Sequence, residues 1–396
     1  MLLEILYITL GICMFLIFWS YLGYYMFISV LSKIIKKEHI YDKNYQPNVS
    51  IIIPCYNEGK VIEKKLKNAL ELDYPKEKIE ILVVDDDSTD NTAKIVSVFV
   101  RRNKIENIKL IHQKRSGKYA AIDNVLKYAK NKIVIVTDAN AFLDKNALKY
   151  CLRHFSDDGV ACVSVNCLDA SKEKARIGRV SPFHLKFKHF LYDKEEQIGC
   201  TQITSGWLQA FRKSLLDYKI ERSSVDDLDP ILEIKKKGYR IIYEPLSIAY
   251  KQPARTREDF LRQIRRTNLG EIKTVFRHVG LLNPVRYGLF SLCFFSRRII
   301  RFIMPLFIIG FLLSSFWIYI ITSGPLFYYF TLFQLMIYLI GILSFPLVNV
   351  KWLDFQAVTL INRLALGEII KVVSLLDFIR GKEILMWEPI KSAREI

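Results

Sequence analysis

Residues 79–92 read IEILVVDDDSTDNT. Five of the first six are apolar and several are β-branched, the pattern of a short strand buried on both faces. Asp85, Asp86 and Asp87 follow at once, and Ser88 and Asp90 then stand where they can cap a helix beginning near Asn91. A buried strand that ends in acids and turns into a helix is where open α/β sheets place ligands, outside the carboxyl ends of the strands. Three adjacent aspartates repel one another unless a cation or hydrogen-bond donors sit among them. Taken alone, a solvated acidic turn with an N-cap explains the stretch equally well, so its neighbours decide.

Working outward, residues 48–250 alternate strand and helix. Asn48–Pro54, Ile79–Val84, Ile108–His112, Ile133–Thr137 and Val160–Val165 read as strands. Glu58–Leu72, Thr92–Arg102, Lys118–Lys130 and Asp144–Phe155 read as helices, the first carrying Glu63 and Lys67 at i,i+4. This spacing implies an α/β domain with a mostly parallel sheet covered on both faces. The region after Val165 is more irregular.

The flanks are apolar. Residues 5–32 are long enough to span a bilayer and lack the basic start and short core of a cleavable signal. Lys33, Lys36 and Lys37 follow, which places the next domain in the cytoplasm by the positive-inside rule. Residues 253–301 interleave Arg with Phe, Leu, Ile and Tyr, as interfacial helices do. Segments 302–322 and 325–349 are two more candidate spans. Segment 354–379 carries Asn362, Arg363, Glu368 and Lys371, so an interfacial helix competes there with a fourth span. The organisation expected is therefore a transmembrane helix at 1–34, a soluble domain at 48–252, interface helices at 253–301, two spans at 302–349, and an interfacial or fourth helix with a cytoplasmic tail at 350–396.

The net charge is +18, which suits anionic membrane lipid or a polyphosphate substrate. Nucleic acid is disfavoured, because no nucleic-acid motif and no separate basic tail is present. Seven cysteines without a CxxC pair read as buried free thiols in a reducing compartment.

Several polar groups fall at one edge of the expected sheet. Pro54-Cys55-Tyr56-Asn57-Glu58 ends the first strand, where Pro interrupts the ladder. Asp85–Asp87 ends the second. Lys114-Arg115-Ser116-Gly117-Lys118 follows the third and can seat an anion through backbone N–H groups at a helix start. Asp138-Ala139-Asn140 ends the fourth, with acid and amide oxygens two apart, which suits a hard divalent cation. Further on, Asp226 and Asp227 precede a helical run, and one of such a pair can serve as a base. Gln263-Ile264-Arg265-Arg266 lies in the basic segment, and Arg clamps pyrophosphate well. Each has an ordinary reading too: a turn, a double N-cap, a lipid-headgroup contact.

The order PCYNE, VVDDDSTD, SGK, TDAN, SGW, DD, QxxRR resembles the GT-A domain of family 2 glycosyltransferases, over about residues 48–300. It is similar to the membrane-integrated branch that includes cellulose, hyaluronan and poly-N-acetylglucosamine synthases. The closing Gly381-Lys382 and Trp387-Glu388-Pro389 also resemble the tail of bacterial members. The resemblance implies a Rossmann-like GT-A domain facing the cytoplasm of a multi-pass cell-membrane protein. It implies that Pro54, Tyr56, Asn57, Glu58, Asp86, Asp87 and Lys118 line a nucleotide-sugar pocket, with UDP as the nucleotide. Asp138 and Asn140 then stand for the family's DxD and hold Mg²⁺ or Mn²⁺ on the diphosphate. Asp227 matches the final acid of the TED motif, the base that deprotonates the acceptor, with Asp226 beside it. Gly206 and Trp207 match the acceptor-side segment, and Gln263, Arg265 and Arg266 the start of QxxRW.

The chain departs from that pattern at four places. Asp87 stands where Gly is usual, Asn140 replaces the second metal acid, Asp226 stands where Glu is usual, and Thr267 replaces the Trp of QxxRW. The last goes with processive polymerisation in the family, so processivity is the open point. The implied activity is inverting transfer from a nucleotide-sugar to a growing cell-surface polysaccharide, forming a β-linkage. Single transfer to a lipid-linked acceptor is the alternative, and a non-catalytic subunit of a synthase complex a third reading. Asp86, Asp138 and Asp227, all retained, argue against the third. Other synthase or export subunits are candidate partners.

Overall fold

A computed structural model describes residues 1–35, 37, 39–170, 182–203, 206–216, 227–347, 356–383 and 388–394. The chain forms two compact units. One, the sheet unit, comprises residues 28–263, 276–278 and 383–396. The other, the helical unit, comprises residues 1–27, 264–275 and 279–382.

The sheet unit is built on eight strands: β1 Val49–Cys55, β2 Ile79–Asp85, β3 Ile108–His112, β4 Ile133–Val136, β5 Ala141–Leu143, β6 Val160–Asp169, β7 Gln209–Arg212 and β8 Arg240–Lys251. Their order across the sheet is β3-β2-β1-β4-β7-β6-β8-β5. β1 to β4 are mutually parallel, β7 is antiparallel to β4 and β6, and β6 runs parallel to β8. The fold is α/β with a mostly parallel, Rossmann-like sheet.

The apolar runs make this sheet because both of its faces are covered. Val49, Ile51, Ile53, Ile81 and Val83 pack on one side with Ile62 and Leu66 of helix Ile62–Leu70 and with Val96 and Phe99 of helix Thr92–Arg102. The alternate residues Ile52, Leu82, Val84, Val134 and Val136 pack on the other with Ala121 and Val125 of helix Lys118–Leu126 and Ile231 and Ile234 of helix Asp229–Lys236. The side-chain period of two thus serves two cores at once. Each fully buried Val or Ile contributes about 1.5–3 kcal/mol.

The chain builds outward from β1 to β2 to β3, then crosses back to place β4 on the other side of β1. That reversal opens a crevice at the carboxyl ends of β1 and β4, where sheets of this kind bind ligands. Register brings Cys55, Asp85 and His112 abreast at the same edge.

Strands β5, β7 and β8 lie in sequence that does not announce them. Helix Glu58–Leu72 of the sequence reading is shorter, Ile62–Leu70, because residues 57–61 form a turn tied to residues 88–92. The Glu63–Lys67 pair forms at 2.7 Å. All seven cysteines are free, and every one but Cys167 is buried.

The helical unit has helices long and apolar enough to cross a membrane. Among the described residues these are Leu2–Ile34, whose last residues belong to the sheet unit, Leu289–Thr322 and Pro325–Leu343. The second begins upstream of the apolar segment 302–322. The first two each contain one π-helical turn, Trp19–Gly23 and Phe295–Ile299. The indole of Trp19 donates to Ser296 Oγ at 3.0 Å, from one turn to the other. Helix Gln356–Ile379 carries the charges flagged in its sequence. There Glu368 accepts from Tyr21 at 2.9 Å and from Lys371 at 2.5 Å, so the charge does not stand unpaired.

Candidate active site

The edge formed by the carboxyl ends of β1, β2 and β4 gathers the polar motifs into several hydrogen-bonded clusters within the sheet unit. After β2, the carboxylate of Asp86 is 2% exposed. It accepts from Gln113 Nε2 at 2.8 Å, the Ser116 amide at 2.9 Å, the Gly117 amide at 2.8 Å and the Arg115 guanidinium. Asp86 therefore shapes the loop that follows β3. The same Arg115 lies 3.4 Å over the Tyr56 ring, close enough for a cation–π contact. Gly117, at φ 91°, adopts a backbone that only glycine takes easily, and helix Lys118–Leu126 starts from it.

Asp87 sits at φ 64°. This is the left-handed conformation that favours Gly, and Asp is one of the few other residues that adopts it readily. Asn57 is also left-handed, at φ 53°. Its Oδ1 accepts from the Thr89 amide at 2.8 Å, and its own amide donates to Ser88 Oγ at 3.0 Å. Asp90 joins in: Oδ2 accepts from the Gly59 amide at 3.0 Å, and Oδ1 accepts from the Thr92 amide at 2.9 Å. The turns after β1 and β2 are thereby zipped together. A Cβ on Gly59 would meet Asp90 Oδ2 at 2.9 Å, so no other residue fits that close approach without a shift.

Glu58 is 1% exposed and binds the guanidinium of Arg394, whose Nε donates to Oε2 at 2.6 Å. Arg394 belongs to the short turn Lys391–Arg394. Ser392 of that turn donates to Asp259 at 2.5 Å. Sequence reasoning missed Arg394, because only the fold brings a residue so far downstream to this edge.

After β4, Asp138 accepts from Lys118 Nζ at 2.6 Å through Oδ1 and from Lys251 Nζ at 2.7 Å through Oδ2. Burial pushes the Asp138 carboxyl up, yet the two ammonium groups outweigh it and hold the carboxyl well below the usual carboxylate range. Lys251, on β8, was also missed: a lysine at the end of a strand carries no signal of its own. Asn140 is 2% exposed, and neither its amide oxygen nor its amide nitrogen has a partner among the described residues. A buried amide with nothing to bond is costly unless a ligand satisfies it.

Those residues fit a hard divalent cation loosely. One carboxylate and one unsatisfied amide oxygen, two residues apart, supply oxygen ligands of the right kind, and a substrate diphosphate can complete the set. No group of three or more His, Cys, Asp or Glu side chains able to hold a metal by themselves occurs among the described residues.

Beneath this turn, Lys65 is fully buried in helix Ile62–Leu70. It donates to Thr137 Oγ1 at 2.9 Å and to the carbonyl of Ala141. Burial pushes its ammonium down to about 7, while Asp138 pulls the other way. Asp227 Oδ2 accepts from the Gly206 amide at 3.1 Å, and the Asp227 carbonyl accepts from Gln209 Nε2 at 3.2 Å. The carbonyl of Trp207 accepts from Thr137 Oγ1 at 2.6 Å, and Lys251 Nζ lies 5.7 Å from the centre of the Trp207 ring.

The sheet unit thus brings together Tyr56, Asn57, Glu58, Asp86, Asp87, Lys118, Asp138, Asn140, Gly206, Trp207 and Asp227. Pro54 is the penultimate residue of β1. Asp226 lies outside the described residues. QxxRR falls on helix Arg257–Arg277, Gln263 in the sheet unit, Arg265 and Arg266 in the helical unit. There Arg265 makes a two-pronged ion pair with Asp377, at 2.7 and 2.8 Å.

Acids at strand ends, lysines paired with them and a separate aspartate held by a backbone amide are groups of the kind that can handle a diphosphate and deprotonate a hydroxyl. Residues 50–218 match the model of glycosyl transferase family 2. The chain carries a family 2 glycosyltransferase domain. Poly-beta-1,6-N-acetyl-D-glucosamine synthase of Staphylococcus aureus (strain COL) is 25% identical over 295 residues, covering 71% of this chain and 70% of that protein. The dolichyl N-acetyl-alpha-D-glucosaminyl phosphate 3-beta-D-2,3-diacetamido-2,3-dideoxy-beta-D-glucuronosyltransferase of Methanococcus voltae is 37% identical over 101 residues, 26% of this chain and 32% of that protein. Among solved structures, the mannosyltransferase PcManGT from Pyrobaculum calidifontis, in complex with GDP-Man and Mn²⁺, superposes with a TM-score of 0.73. It covers 95% of this chain and 100% of its own at 21% identity, a likeness of fold, and that fold is GT-A.

Proposed function

We propose that this family 2 glycosyltransferase is a membrane enzyme that moves a sugar from a UDP-sugar to a growing polysaccharide and inverts the anomeric centre to a β-linkage. The observation that carries the reading is the arrangement of charge at the sheet edge. Asp138, Lys118, Lys251 and Asn140 gather at the turn after β4, and Asp227, held by the Gly206 amide, is tied to that turn through Trp207 and Thr137.

In this reading Lys118 and Lys251, now on Asp138, turn to the diphosphate when the nucleotide-sugar binds. Asp138 and Asn140 are the residues that would hold Mg²⁺ or Mn²⁺, and the cation would neutralise the departing diphosphate. Asp227, steered by the Gly206 amide, takes the proton of the acceptor hydroxyl. That oxygen then bonds to the anomeric carbon from the face opposite the diphosphate, and the bond to the leaving oxygen breaks with its electron pair. One displacement inverts the centre, so no covalent enzyme intermediate is needed. Lys33 and Lys37, after the first candidate span, support a cytoplasmic domain in this reading.

A second reading is transfer of a single sugar to a lipid-linked acceptor. Thr267 in place of the QxxRW tryptophan favours it, as does likeness to a relative whose name includes a dolichyl phosphate sugar. The deciding experiment incubates detergent-purified protein with UDP-, GDP- and dTDP-sugars and Mg²⁺ or Mn²⁺, and sizes the products on a gel. High-molecular-weight product from a UDP-sugar supports the polysaccharide reading, and a single-sugar lipid adduct supports the second. Absence of transfer from every donor, with and without added lipid extract, would overturn both.

A further inference from the structure

Lys65 is one of the largest side chains buried without exposure in the sheet unit. None of the roles proposed above uses it. A buried ammonium is expensive where an aliphatic chain would fill the same space. Its two contacts are specific. Nζ donates to Thr137 Oγ1 at 2.9 Å and to the Ala141 carbonyl, the residues immediately before and after Asp138-Ala139-Asn140. The turn they bracket is closed by the Ala141 amide donating to the Asp138 carbonyl at 3.1 Å. Thr137 is itself fully buried, and its hydroxyl passes the connection on, donating to the Trp207 carbonyl at 2.6 Å. The preceding residue, Gly206, donates its amide to Asp227 at 3.1 Å.

We infer that Lys65 is a positioning residue that clamps the Asp138–Asn140 turn from beneath and, through the Thr137 hydroxyl, locks it to the segment that orients Asp227. The inference rests on the reading of Asp138 and Asn140 as the diphosphate side of the site and Asp227 as its base. A hydroxyl can accept one hydrogen bond while donating another, so Thr137 is suited to the middle of such a relay. Lysine is suited to its root, because its ammonium has three hydrogens to share between a hydroxyl and a carbonyl. Reacting groups displaced by an ångström cost about a hundredfold in rate, so a clamp of this kind acts on kcat without touching substrate.

The test uses the full-length protein in detergent with Lys65→Met, Thr137→Val and Thr137→Ser, read by UDP binding, transfer kinetics and amide hydrogen exchange. Lys65→Met is expected to speed exchange at the Ala141 amide and to weaken UDP binding and kcat, each about tenfold. Thr137→Val, which leaves Lys65 on the Ala141 carbonyl, is expected to speed exchange at Gly206 and lower kcat about tenfold, with UDP binding held. Thr137→Ser keeps the hydroxyl and is expected to behave as wild type. Unchanged exchange at Ala141 and Gly206 in the two disruptive variants would overturn the clamp. So would a uniform rise in exchange across β1, β2 and β4, which marks ordinary core destabilisation. If the wild-type protein transfers from no donor, the proposed function fails, while the exchange pattern still decides the clamp.

Discussion

Arg394 and Glu58 form a buried ion pair across 336 residues of chain, with side-chain exposures of 6% and 0%. The pair ties the turn Lys391–Arg394 to the end of β1. Both of its guanidinium edges are used, since Nη1 also donates to the Ile390 carbonyl at 2.9 Å. Glu58, expected from sequence to line a nucleotide-sugar pocket, anchors a distant part of the same unit.

Breaking one side of such a pair leaves a buried charge uncompensated, at a cost of about 3–5 kcal/mol. Arg394→Met is therefore expected to lower stability by that amount. The double change Glu58→Gln with Arg394→Met is expected to recover a large part of it, because both charges are then gone. Denaturant unfolding of the four proteins in a double-mutant cycle checks this. Additive losses would show that the two residues do not act as a pair.

Asp227→Asn keeps an oxygen to accept from the Gly206 amide but cannot take a proton. Transfer is expected to fall by about 10²–10⁴-fold, the usual worth of a positioned general base. Nucleotide binding, measured by calorimetry with UDP, is expected to hold. A variant with near-normal turnover would remove Asp227 from the base role.

Asn140→Asp supplies the carboxylate that the family's DxD carries. Its buried amide has no partner among the described residues, so the position can accept a ligand-facing charge once a cation is present. Mn²⁺ affinity, read from the electron paramagnetic resonance signal of free Mn²⁺ in the presence of UDP, is expected to tighten about tenfold, since ligand charge tunes such sites. Exhaustive chelation of the wild-type protein is expected to abolish transfer. Unaltered Mn²⁺ affinity in the variant would place the cation elsewhere.

Glu244 on β8 accepts from Arg153 at 2.6 Å and from His154 at 2.7 Å. Burial pushes its carboxyl up, but His154, the Leu246 amide and Arg153 together hold it below the ordinary value. A carboxyl lowered on folding stabilises the protein above its unfolded value, near 4.3, and that stability is lost as pH falls toward the folded value. Thermal unfolding followed from pH 6 to pH 3 is expected to show this loss, and Glu244→Gln is expected to flatten the slope. Parallel curves for wild type and variant would assign the acid sensitivity to other carboxylates.

Much of this was legible in the chain. β1 to β4 are near-continuous apolar runs because both faces of a parallel sheet are covered. The helices after β2 and β3 begin at the residues their sequence marks, Thr92 and Lys118. β7, only four residues long and reading QAFR, has no period to reveal it. β8 is long, but its pairing with β6 is broken by register shifts, and polar residues interrupt its pattern.

By itself the sequence determined which strands end in acids, which turn carries Asp138 and Asn140, and which segments are apolar enough to span a membrane. These are local properties, set by side-chain period and by what can follow a strand. Only the tertiary structure decided which cation meets which acid. Lys118 and Lys251 meet at Asp138 from 20 and 113 residues away. Lys65 reaches the Asp138–Asn140 turn from another element, and Arg394 closes on Glu58. An ion pair is fixed by distance in space, and along the chain a lysine bound for a buried carboxylate looks the same as one bound for water.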